Sequence, residues 1–151
     1  MFVQVIEGEG VTNARWLWSP TGNRGSEAYY PGGDVVDTIG VTLLVADQWE
    51  ADAGILSPRS FRTLLGEKYG LSTQFDKPIL AIEVGVSLGD AEQERAWIED
   101  ARASMTGYSM LQGIIYFNDQ NPPVIGVDYL PDWRLSPEQA EALFAEHRPA
   151  Q

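Results

Sequence analysis

Four times along the chain a short β-branched or aromatic run is followed by turn residues and then, in most cases, by a helical pattern. No other feature constrains the fold as much, because strands separated by crossovers long enough to hold a helix pair in parallel. The first run is Asn13 to Trp18, closed by Ser19 and Pro20 and a Gly-rich loop through Gly25, with at most a short helix after it. The second, Val35 to Leu44, sets Ile39, Val41 and Leu43 on one face against Thr38, Gly40 and Thr42 on the other, the pattern of a strand covered by helices on one side only. Its helix is predicted to open at Ser57 and Pro58, to carry Phe61, Leu64, Leu65 and Tyr69, and to stop at Gly70.

The third run, Lys77 to Glu83, starts with Pro78 where no ladder donor is needed, and strict alternation puts Ile79, Ala81 and Glu83 on one face. A helix then follows from Asp90, with Gln93 placed to reach back to the cap. Trp97, Ala101 and Met105 form its apolar stripe, and Glu92, Arg95, Glu99 and Arg102 its polar face. The fourth run, Leu111 to Asn118, leads into a loop from Asp119 to Leu135. Ser136, Pro137 and Gln139 then begin a last helix through Ala140, Leu143 and Phe144.

With 151 residues, 44% of them apolar, the chain can bury one core, and residues 1–151 read as a single domain. Twenty-two acidic residues against 10 basic ones, with no run of Lys or Arg, make nucleic acid and anionic membrane surfaces poor partners. The lack of cysteine removes disulfides, thiolate nucleophiles and cysteine-bound zinc. A single histidine, His147, removes histidine triads and multi-histidine metal sites, so no metal and no cofactor is expected. The glycines at Gly22 to Gly25 and Gly32 to Gly33 lack the strand-then-helix phosphate signature and read as turns. Met1 to Gly10 has neither the basic start nor the apolar core of a signal peptide, which points to cytoplasmic residence, and no segment approaches transmembrane length.

Catalytic groups of parallel α/β proteins gather at the C-terminal ends of strands, where loops vary over a rigid sheet. Glu83, directly after Ile79–Leu80–Ala81–Ile82, takes that place. An ionised carboxylate on an apolar strand costs several kcal/mol unless something pairs or uses it. The plain alternative is a strand-end glutamate in water or paired with Arg15 or Arg134. Sugar rings stack on aromatic side chains, and Trp16 and Trp18 on the first strand, with Tyr116, Phe117 and Trp133 around the last, are candidates. Of these, Trp16 and Phe117 read better as core, as does Trp97.

Five segments in order resemble the second half of the catalytic barrel of glycoside hydrolase family 26 and similar domains attached to exopolysaccharide-synthesis proteins. They are Asn13-Ala-Arg-Trp-Leu-Trp-Ser-Pro20, Tyr29-Tyr-Pro-Gly-Gly-Asp-Val-Val-Asp37 with Ile39-Gly40-Val41, Lys77-Pro-Ile-Leu-Ala-Ile-Glu-Val-Gly85, Ile115-Tyr-Phe-Asn118 and Asp132-Trp-Arg134. The resemblance implies strands five to eight of a (β/α)8 TIM barrel and a retaining hydrolase of β-linked mannan or glucan. It makes Glu83 the nucleophile and Trp18, Trp133, Tyr116 and Asn118 the substrate contacts. In such chemistry a second carboxylate about 5 Å away protonates the leaving oxygen. The family carries it on strand four, which would lie upstream of Met1, and none of Asp34, Asp47, Asp119, Asp128 or Asp132 has a spacing that fixes it near Glu83. Thr42 and Leu44 also stand where the family usually has Asp and Tyr.

A four-stranded half-barrel has two unpaired edges and one inward face, so a homo-oligomer, a complementary half-barrel chain or a closed flavodoxin-like sheet is expected. The expected ligand is a polysaccharide. The rival readings are a non-catalytic glycan-binding or assembly module of an exopolysaccharide-synthesis system, and an unrelated α/β protein in which Glu83 is structural. A parent secreted protein, of which this chain is a part, would instead place it outside the cell.

Overall fold

The computed structural model describes residues 2–20, 24–121 and 128–145. A short helix α1 (Phe2–Gly8) precedes strand β1 (Leu17–Trp18). Strand β2 (Thr38–Ala46) is followed by α2 (Asp47–Asp52) and α3 (Phe61–Ser72), and β3 (Ile79–Ser87) by α4 (Ala91–Ser104). Strand β4 (Leu111–Tyr116) is followed, after a long loop, by α5 (Pro137–Phe144). The strands form one sheet in the order β1-β2-β3-β4, and every pair is parallel. The chain is thus an α/β protein, as the alternation of runs predicts.

An order that never reverses, combined with the near-universal right hand of parallel crossovers, sends every connecting helix to the same side of the sheet. The core has that arrangement. Ile39, Val41, Leu43 and Val45 of β2 and Ile79, Ala81, Val84 and Val86 of β3 are buried against Phe61, Leu64 and Leu65 of α3, Trp97, Ile98 and Ala101 of α4, and Leu143 of α5. Among the described residues the opposite face carries no helix of this kind. It presents Leu17, Gly40, Thr42, Leu44, Leu80 and Ile82, and on β4 Ile115, which is 53% exposed.

Local signals decide where the helices start. Ser60 accepts the Thr63 N–H, Asp90 accepts those of Glu92 and Gln93, and Ser136 and Gln139 cap α5 reciprocally, each satisfying otherwise orphaned first-turn donors. The start expected at Ser57 is corrected to Phe61, because Ser60 takes the cap and the preceding loop is held by Glu50. The stop expected at Gly70 is also corrected. The helix runs through it, as through Gly66, to Ser72, since each interior glycine costs only about 1 kcal/mol and α3 is anchored by the buried Phe61, Leu64 and Leu65. One residue expected inside, Phe117, is 39% exposed on the open side, and Phe144 at the end of α5 is 54% exposed. His147, Gly22 and the two successive prolines of the long loop lie outside the described residues.

Candidate functional site

Glu83 is not at the end of its strand. β3 continues four residues beyond it to Ser87, and the alternation that would align it with Ile79 and Ala81 breaks at a bulge. Val41 lies opposite Ala81 but Thr42 lies opposite Glu83, so Ile82 has no partner on β2. One extra residue reverses the pleat for everything after it. Ile79 and Ala81 point to the helices, then Val84 and Val86 do, and Glu83 is transferred to the open face with Gly85 and Ser87. Its carboxylate is exposed there and accepts a hydrogen bond from the Thr42 hydroxyl at 2.9 Å. Without the bulge an ionised acid would be driven into the helix-covered core, at a cost of several kcal/mol. Neither arginine expected to pair with Glu83 does so: Arg15 lies 3.7 Å from Asp37, and Arg134 binds Asp132, whose carboxyl it holds below the usual range.

Of the expected sugar contacts, the structure gathers few at Glu83. Trp133 is fully buried, which corrects its assignment as an open platform. The indole folds back over the open face of the sheet and packs on Gly85, where an added Cβ would sit 2.9 Å from its ring, and it meets Trp49 at 5.3 Å. Its Nε1 donates to Asn121 and its backbone N–H to the Asp119 carbonyl, while Ser87 Oγ accepts from the Asp132 N–H. Trp133 is therefore a plug at the C-terminal end of β3, placed by the absence of a side chain at Gly85.

Tyr116 is corrected likewise. As the register partner of Val84 it turns toward the helices, and its hydroxyl accepts the Val86 N–H at 3.2 Å, a donor left over where β4 stops. Burial pushes the phenol up to about 12, with smaller contributions from the charges of Glu94 and Asp132, and the Val86 hydrogen bond acts the other way. Trp18, paired with Ile39, also lies on the helix side, in an aromatic cluster with Tyr30 at 5.0 Å and Phe75 at 5.2 Å. Asn118 is exposed, and its Oδ1 holds the Leu135 N–H at 2.8 Å, fixing the return of the long loop.

The sequence reading misses a buried ion pair beside this site. Glu50, 4% exposed, receives both Nε and a terminal nitrogen of Arg59, the latter at 2.7 Å, together with the Arg59 backbone N–H. Burial alone would raise its pKa, yet the hydrogen bonds and charge of Arg59 outweigh it and hold the carboxyl below its ordinary value. Arg59 also binds Glu67 and its carbonyl accepts the Trp97 indole N–H. The pair thus ties the loop after α2 to two helices. The only hint in the sequence is an acid and a base nine residues apart.

A groove of about 980 Å³ runs beside α3, lined by Thr42, Leu44, Trp49, Arg59, Lys68 and Arg24 among others. It exists because β1 pairs with β2 only at Thr38 and Ile39, leaving the rest of that edge uncovered. Glu83 does not line it, but Thr42, which holds Glu83, does. Among the described residues no group of three or more acidic, histidine or cysteine side chains could hold a metal, and no helix is long and apolar enough to cross a membrane.

No protein-family model matches the chain. A search of curated proteins also finds no match.

Proposed function

We propose that the chain is a glycoside hydrolase-like half-barrel, related to family 26, that acts on or binds β-linked mannan or glucan, with Glu83 as the nucleophile of a retaining mechanism. The observation that carries this is the bulge that moves Glu83 from the helix-covered face to the open one. A strand order without reversal, with helices on one face only, supports strands five to eight of a barrel over a flavodoxin-like sheet, whose order reverses and whose helices cover both faces. In this reading the open face is the barrel interior. A second set of four βα units, from another copy or a complementary chain, pairs the free edges of β1 and β4 and supplies the acid/base.

A specific observation favours binding without turnover for the chain by itself. Among the described residues the one hydrogen bond to the Glu83 carboxylate comes from a hydroxyl, that of Thr42, and retaining hydrolysis needs a second carboxyl, a role assigned to no acid of this chain. The non-catalytic glycan module is therefore the second reading.

Incubation with a 2-fluoro mannoside or glucoside carrying a good leaving group, which needs no acid catalyst for the first step, separates the two. A covalent adduct mapped to Glu83 and absent in Glu83→Gln is expected for the hydrolase. No adduct, with mannan or mixed-linkage β-glucan still retained equally by both forms, leaves the binding module. Absence of both adduct and retention removes the glycan reading altogether.

A further inference from the structure

Three of the chain's 10 basic residues, Arg24, Arg59 and Lys68, line the groove beside α3, and the lining contains a single carboxylate, Glu67. For a chain with 22 acids this is a local reversal of sign, and a concave low-dielectric wall concentrates such a field. Arg59 is consumed by Glu50 and Glu67. Arg24 is exposed and has no ion pair among the described residues. Lys68 is half-buried on the helix flank, where burial first and the charge of Arg59 second disfavour its ammonium form, with the charge of Glu67 acting the other way. An anion entering the groove offsets both penalties.

The other walls narrow the kind of anion. Trp49, 42% exposed, offers an indole face of the sort on which a pyranose ring stacks, and the Thr42 hydroxyl stands nearby in the lining. Phosphate prefers the free N–H groups of a helix N-terminus, whereas this groove follows the flank of α3, where backbone donors are already used. The planar guanidinium of Arg24 suits a carboxylate. The groove volume is that of a site able to hold more than one sugar ring.

Resting on the glycan reading above, we infer that this groove is a subsite for a carboxylate-bearing sugar, so that the preferred ligand is an acidic β-linked polysaccharide, with Arg24 and Lys68 holding the carboxylate and Trp49 the ring.

Calorimetric titration with two β-1,4-linked hexamers, one of mannuronate and one of mannose, tests it, because they differ only in a carboxylate against a hydroxymethyl group. At low salt the acidic hexamer is expected to bind roughly tenfold tighter, the size of one charge-assisted hydrogen bond, with the advantage shrinking as salt is raised. Arg24→Ala and Lys68→Ala should each remove about that tenfold for mannuronate and leave mannose unchanged, and Lys68→Arg should keep it. Equal affinity for the two hexamers, or a mannuronate affinity unmoved by both alanine variants, overturns the inference while the glycan reading stands. Failure of both hexamers to bind removes the two together.

Discussion

Leu43 and Leu44 are neighbours on one strand, as are Val84 and Gly85 on the next, yet the two members of each pair live in different solvents. Leu43 and Val84 are fully buried under α3 and α4, while Leu44 and Gly85 face the side away from those helices. On the covered side, burial of apolar side chains holds the sheet together. On the open side the largest single piece of packing is Trp133, inserted over Gly85 by a loop, and next to it stand the exposed Glu83, Ile115 and Phe117. One face is specified for stability, and the other keeps an acid and two large apolar side chains in water.

Truncations with matched chemistry on the two faces give the sharpest test of that difference. Leu43→Ala removes a side chain from the covered core and should cost about 2–5 kcal/mol in chemical denaturation, whereas Ile115→Ala, on a half-exposed side chain of the open face, should cost less than about 1 kcal/mol. Comparable losses in the isolated chain would mean that the open face is already covered, for example by self-association.

A smaller effect separates two glycines of the open face. At Gly85 an added methyl lies 2.9 Å from both Leu44 and the Trp133 ring, so Gly85→Ala should cost about 1–3 kcal/mol and redden the tryptophan emission as the plug is displaced. At Gly113 the nearest atom is Leu80 Cδ1 at 3.6 Å, an ordinary contact, and Gly113→Ala should be neutral or slightly stabilising, because alanine has less backbone freedom to lose. If the two behave alike, Trp133 is not seated on Gly85.

The smallest effect concerns Tyr116, which sits on the covered side although its neighbours Ile115 and Phe117 do not. Loss of its hydroxyl in Tyr116→Phe should cost about 1 kcal/mol, the usual worth of one hydrogen bond to a backbone donor. The folded phenol titrates at about 12 against 10.0 in an unfolded chain. The native state then holds its proton more tightly, so overall stability is undiminished below pH 10 and falls as pH rises from 10 toward 12, where ionisation would leave a buried phenolate; the phenylalanine variant should not show this loss. Ultraviolet titration should show a late-ionising tyrosine that is missing in the phenylalanine variant. A sideways exposure of Tyr116 toward a ligand would instead give an ordinary titration.

Much of the architecture is legible in the residues themselves. Ile39, Val41 and Leu43 declare a one-sided strand, Ser136 with Pro137 and Gln139 declares a helix start, and four such units in succession predict the parallel sheet that is found. These signals are local, set by side chains within a few positions of one another. The candidate site is less legible. Reading β3 by strict alternation puts Glu83 with Ile79 and Ala81, and nothing between Ala81 and Val84 announces the bulge that reverses it.

The remaining surprises share that cause. Trp133 reads as a loop residue free to meet a sugar, but an indole in a loop goes wherever a vacancy of its size lies, and Gly85, 48 positions earlier in the numbering, leaves one. Glu50 and Arg59 look like two surface charges until the packing of α2 against the sheet buries one of them. Residues close in sequence are enough to fix the four strand runs, the three longer helices and the apolar strand face, though not α1 or α2, because periodicity and capping act over one or two turns. Which way Glu83 points, what Trp133 covers and where the cations converge follow from the assembled fold, because register and side-chain vacancies depend on residues brought together from distant parts of the chain.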